Sequence, residues 1–102
     1  GRRALRVIPS DANFLISIPA LEQAIQEDRA AWCVPACVIA TAGTTNTGAI
    51  DDMQAIAALC KREWIWFHVD GCIGALIKIA PVNRTMVDGI EDAESLALDP
   101  HK

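Results

Sequence analysis

The chain has 102 residues, 52% of them hydrophobic and 22% charged, with a net charge of −4 and a pI near 4.9. That length fits at most one small domain, and the acidic balance argues against a nucleic-acid partner, which needs a basic face. No apolar stretch reaches the roughly 20 residues of a membrane helix; the longest candidate, residues 30–43, carries Pro35.

Arg2, Arg3 and Arg6 are not followed by an uninterrupted apolar core, so no signal peptide is read here. The four cysteines (Cys33, Cys37, Cys60, Cys72) read as reduced thiols of a cytoplasmic protein, buried by default. Cys33 and Cys37 are not spaced as CxxC, and no metal site is expected. The chain opens at Gly1 as though inside a domain and stops at His101-Lys102 just after a strand-and-loop signal, so a fragment is expected.

In chain order, Ala4 to Ile8 reads as a short strand closed by Pro9, and Ser10-Asp11-Ala12-Asn13 as a turn. Phe14 to Ile18 reads as extended. Pro19 suits the first turn of a helix, and Leu21, Ala24, Ile25 and Asp28 keep helical spacing up to about Ala31. Ala36 to Ala40 is a continuous apolar run, expected as a central parallel strand. Thr41 to Gly48 is the loop at its end. Asp51 with Gln54 fits a capping box ahead of a helix whose stripe is Met53, Ile56, Ala57 and Cys60, with Lys61-Arg62 in its last turn.

Trp64 to Val69 reads as the next strand, buried on both faces, with Trp64 and Trp66 as core residues. Strand, helix and strand make a βαβ unit, so both strands run the same way and their C-terminal loops lie side by side. Gly71 to Ile79 is ambiguous, Pro81 to Val87 suits a short surface helix, and Ser95 to Leu98 reads as a third buried strand.

Asp70 follows the second strand directly. A buried carboxylate costs several kcal/mol unless it is paired, and ligands of open α/β sheets bind at the carboxyl ends of the strands. Asp70 therefore faces a cationic ligand group, or else caps a helix starting at Gly71 or Cys72. His68 fits a structural, hydrogen-bonded role beneath the site. Three strand-end loops converge and bring Thr44, Thr45 and Asn46, Asp70, His101 and Lys102 together. A carboxylate and a lysine on neighbouring strand tips are what a pyridoxal 5'-phosphate site requires. The amine forms an imine with the aldehyde, and the carboxylate favours the protonated pyridine nitrogen.

Residues 41–51 (TAGTTNTGAID), Phe67-His68-Val69-Asp70 and residues 95–102 (SLALDPHK) resemble the group II pyridoxal phosphate-dependent amino acid decarboxylases, most closely the aromatic-L-amino-acid decarboxylase branch. The resemblance covers nearly the whole chain. It implies an α/β fold, with residues 1–102 forming part of the fold-type I large domain, a mostly parallel sheet with flanking helices. It also implies that Lys102 carries the Schiff base to the cofactor and that Asp70 contacts the pyridine nitrogen. Thr45 matches a threonine on the ring's oxygen side, and Asp99 and His101 match positions near the phosphate.

Relatives usually read His-Val-Asp-Ala-Ala-Tyr-Gly-Gly, where this chain reads His68-Val69-Asp70-Gly71-Cys72-Ile73-Gly74-Ala75. Cys72 thus falls where a small alanine packs on one ring face, and Ile73 lacks the tyrosine hydroxyl. The implied activity is decarboxylation of an L-amino acid, aromatic by branch, by a homodimer with its sites at the subunit interface. The other readings are an aminotransferase or lyase of the same fold type, or an inactive, truncated homologue.

Overall fold

The computed structural model describes residues 4–101. The first helix, α1 (Ile18–Ala30), starts where Ser17 Oγ accepts the Ala20 N–H at 3.3 Å and Pro19 sits in the first turn. Its apolar stripe, Leu21, Ala24 and Ile25, is buried as the spacing predicts. Strand β1 (Cys37–Thr41) leads into α2 (Met53–Glu63), and α2 into β2 (Trp66–Asp70). Three short 3-10 turns, at Ala75–Ile79, Arg84–Val87 and Ile90–Asp92, precede β3 (Ser95–Ala97).

The three strands are parallel in the order β1-β2-β3. Val38, Ala40, Phe67 and Val69 share one buried apolar cluster with Met53, Ile56, Ala57 and Cys60 of α2. The expected βαβ unit is therefore present. β2 is the middle strand, however, and β1, expected to be central, is an outer strand of the three among the described residues.

Burial differs from the expectation in one consistent way. β1 and β2 alternate buried and exposed residues, so one face of the sheet packs on the helices and the other is open. Ile39 is 57% and Trp66 52% exposed on that open face. Trp64 is not in the strand at all. It ends α2 in a left-handed conformation (φ 57°) and is 95% exposed, so neither tryptophan is a core residue here. β3 is three residues long, and Leu96 and Leu98 are about half exposed rather than buried.

Three further expectations move. Residues 5–9 form no strand: Arg6 instead reaches along α1 to ion-pair with Glu27 and with Asp28 (2.5 Å). The Ser10–Asn13 turn is present, held by Asp11 Oδ1, which accepts from Asn13 N at 2.7 Å and Leu15 N at 3.1 Å. The extended stretch after it is a single bridge, Ile16 to Ser10, before α1 begins. Helix α2 is capped by Asp52, which accepts from Ala55 N at 3.0 Å, one residue beyond the expected Asp51.

Only one of the four thiols is buried. Cys60 is 1% exposed, and burial pushes its pKa up to about 11, with Glu94 and Cys37 adding to the effect, whereas Cys33 and Cys37 are exposed and Cys72 half-buried. A raised thiol pKa leaves little thiolate, the reactive form, near neutral pH. Under native conditions at pH 8, Cys33 is expected to react with a maleimide readily and Cys60 only on unfolding. Peptide mapping of labelled protein checks this order.

Candidate active site

The site starts from register. β1 and β2 end in step, with Thr41 opposite Asp70, and β3 brings Ala97 opposite Asp70 on the other side. Backbone pairing continues past the strands. Ala42 N donates to Asp70 O at 2.8 Å, Gly71 N to Ala97 O at 3.0 Å, and Gly74 N to Ala42 O at 2.9 Å. The loops after β1 and β2 therefore lie against each other, as the βαβ reading expects.

The loop after β1 is self-supporting. Gly43 N and Thr44 N both donate to Ala49 O, at 3.1 and 2.9 Å. Thr44 Oγ1 accepts from Ala49 N at 3.1 Å and lies 2.6 Å from Thr47 Oγ1. Thr44 is thus bonded inside the turn, and it lines, with Thr41, Gly43, Thr45, Asp70, Cys72 and Ile73, a cleft of about 130 Å³ between the two loops.

Asp70 is exposed at the strand tip, so the cost of burying a carboxylate does not arise in this chain. Its Oδ1 accepts the Cys72 N–H at 3.2 Å. No α-helix starts at residue 71 or 72: a turn intervenes before the 3-10 segment at Ala75, which sets aside the helix-cap reading.

His68 lies two residues before Asp70 and is half-buried. Its Nδ1 is 2.7 Å from Ser95 Oγ, which also accepts the Trp66 indole N–H at 2.8 Å. A serine hydroxyl has one proton and two lone pairs, so it serves the indole N–H and the imidazole at once. This network fixes the ring across β2 and β3, the structural place expected of it.

Past β3, His101 Nδ1 donates to Asp99 Oδ1 at 2.7 Å, with the His101 side chain 85% exposed. These two residues pair with each other and do not line the cleft. Lys102 lies outside the described residues. The structure thus brings Thr44, Thr45, Asp70 and Cys72 together, and Asp99 and His101 are not among the residues that line the cleft.

A larger hollow of about 200 Å³ lies between the N-terminal segment and α1. Its charged groups, Arg6 and Glu27, are already paired with each other, so it offers no comparable chemistry.

The model of the pyridoxal-dependent decarboxylase conserved domain matches residues 2–102. The chain belongs to the pyridoxal-dependent decarboxylase family. Aromatic-L-amino-acid decarboxylase of Bacillus atrophaeus is 46% identical over 95 residues, which is 93% of this chain and 20% of that protein. Cysteine sulfinic acid decarboxylase of Mus musculus is 39% identical over all 102 residues, 21% of its own length. The crystal structure of mouse CSAD superposes on the whole chain with a TM-score of 0.95 at 39% identity, covering 21% of that chain. Catharanthus roseus tryptophan decarboxylase in complex with L-tryptophan matches 95% of this chain and 21% of its own, with a TM-score of 0.87 at 38% identity. The chain spans about a fifth of the length of the curated relatives it matches. The parallel sheet with flanking helices expected for a decarboxylase of this family is the one observed.

Two residues around the cleft carry weight that their sequence context does not announce. Asp51 was expected only to start a helix, and Ser95 only to open a strand. Gly74 is required by contact: a β-carbon there would stand 2.5 Å from Ala42 O and 2.9 Å from Ala42 C. Gly74→Ala is therefore expected to force the two loops apart and destabilise the fold by about 1–3 kcal/mol. Gly48→Ala, with open space around it but a φ of +67°, is expected to cost about 1 kcal/mol through backbone strain alone. Urea midpoints of the two variants in the full-length protein check the order.

Proposed function

We propose that this chain is part of the large, cofactor-binding domain of a cytoplasmic, homodimeric decarboxylase. In that reading it converts an L-amino acid, aromatic in class, into the amine and carbon dioxide. One observation carries the reading most: a carboxylate and a threonine hydroxyl line one cleft at the ends of adjacent parallel strands, in a chain of the pyridoxal-dependent family. The aromatic class is supported by the 46% identity to an aromatic-L-amino-acid decarboxylase.

The residues suit pyridoxal 5'-phosphate chemically. When bound, the cofactor supplies an electron sink for the pair released as the carboxylate leaves. Asp70 would hold the pyridine nitrogen and favour its protonated form, because an opposite charge at close range stabilises a cation. The Cys72 N–H on Oδ1 holds that carboxylate in one orientation. Thr45 and Cys72, which line the same cleft, would hold the ring by a hydroxyl and by a small side chain. Asp99 pairs with the His101 imidazole, and the two would contribute to holding the cofactor's phosphate. Lys102 would supply the amine that holds the cofactor's aldehyde.

The test uses the full-length protein. Borohydride reduction with the cofactor followed by peptide mapping is expected to place a pyridoxyl group on Lys102, and turnover of an aromatic amino acid to release carbon dioxide with no keto acid. Absence of the label would remove the enzyme reading. Keto acid accumulation would instead make the protein an aminotransferase.

A further inference from the structure

We infer that Asp51 is a positioning residue of this site: its carboxylate clamps the neck of the Thr41–Gly48 loop and so sets where Thr45 stands against Asp70. The inference rests on the functional reading above, because it concerns the same cleft.

Three hydrogen bonds carry it. Asp51 Oδ2 accepts the Thr41 N–H at 2.8 Å, and Asp51 N donates back to Thr41 O at 3.0 Å. Asp51 Oδ1 accepts the Ile16 N–H at 2.7 Å. One side chain therefore fastens the end of β1 to the stretch that leads into α1. Thr41 is also the register partner of Asp70, so the clamp holds the residue directly opposite the carboxylate in the cleft.

The rest of the loop is referenced to this neck. The Ala42–Ile50 bridge lies just inside it, and the bonds of Gly43, Thr44 and Ala49 follow. Thr45 lies beyond these bonds and takes its place from the frame they form.

The chemistry calls for a carboxylate. Two N–H groups converge on the two oxygens, and a carboxylate is acceptor-only, whereas an amide presents one acceptor and one donor. Asp51→Asn keeps the shape but turns an NH₂ toward an N–H, so one backbone donor loses its partner. The adjacent Asp52 is the internal control. It caps α2, and asparagine caps as well as aspartate does.

The experiment measures cofactor affinity and the visible circular dichroism of bound pyridoxal phosphate in the full-length protein, its Asp51→Asn and Asp52→Asn variants, and each in a Thr45→Val background. Hydrogen exchange at residues 41–50 is measured alongside. Asp51→Asn is expected to weaken cofactor binding about tenfold, the scale for losing a residue that orients a ligand-holding group, and to alter the dichroism. Faster exchange at Thr41, Gly43 and Thr44 is expected with it. With Thr45 already changed, the further loss is expected to shrink below about threefold, because coupled residues are not additive. Asp52→Asn is expected to behave as the parent.

Unchanged affinity and exchange in Asp51→Asn, or an equal loss in Asp52→Asn, overturns the inference while the functional reading stands. A parent protein that takes up no pyridoxal phosphate overturns both. Should the amide variant fail to fold, Asp51→Glu replaces it, keeping both oxygens but displacing them by one methylene. The same loss of affinity and the same dependence on Thr45 are then expected, and their absence counts against the clamp.

Discussion

The parallel pairing of β1 with β2, ending in step at Thr41 and Asp70, is the constraint on which the rest depends. Side chains alternate along a strand, so a slip of one residue would turn Asp70 toward the helices and bring Val69 out to the cleft. The slip is prevented from both ends. Phe67 and Val69 are essentially fully buried against α2 and leave no room for another register. Beyond the strands, the bonds from Ala42 N to Asp70 O and from Gly74 N to Ala42 O extend the alignment into the loops. The cleft exists because two backbones are held close enough to exchange these bonds, and Gly74 is what allows the approach.

The same sheet shows what a polar network does on an otherwise apolar face. A parallel sheet is normally covered on both sides, and the open face here carries Ile39 and Trp66 beside the His68–Ser95 pair. Relatives of this chain are about five times its length. Any element packed on that face would desolvate the pair. Ser95 then matters more, since a desolvated imidazole and indole N–H each need a partner. The serine hydroxyl serves both, which ties β3 to β2 through side chains as well as backbone.

What was legible in the sequence was local. The stripes of α1 and α2, Pro19 in the first turn, the turn at Asp11 and the adjacency of the two loops follow from periodicity and from the handedness of βαβ units. Residues 41–51 and 95–102 carried the family. What was not legible was set by tertiary context. An apolar run such as Trp64 to Phe67 says that a strand will be buried once its partners are present, not how many faces they cover in this chain. Trp64 in particular ends a helix, which hydropathy alone does not register. Asp51 and Asp52 are each placed to cap α2, and a spacing rule has no means of choosing between them. The deciding facts are the Thr41 and Ile16 N–H groups, which are distant or differently assigned in sequence.

The unusual Gly71-Cys72-Ile73 stretch bears on whether the site is intact, and the geometry separates what depends on those side chains from what does not. Asp70 is oriented by the N–H of residue 72, a backbone group that any residue but proline supplies. Ile73 lies over the opposite loop: a β-carbon at Gly43 would stand 3.4 Å from its Cγ2 and 3.3 Å from Gly74 N. The isoleucine therefore fills space between the loops with apolar contact, and the approach of the two backbones is kept without the tyrosine hydroxyl. Gly71 belongs where it is for a separate reason, since a β-carbon there would meet Ala75 Cβ at 2.5 Å and Leu96 Cδ1 at 2.8 Å. Ala75 and Gly71 thus fit as a pair, the Ala75 methyl lying closest to the place a side chain at residue 71 would take. The departure from the usual motif is accommodated locally, and the cleft keeps the carboxylate and hydroxyl on which the proposed function rests.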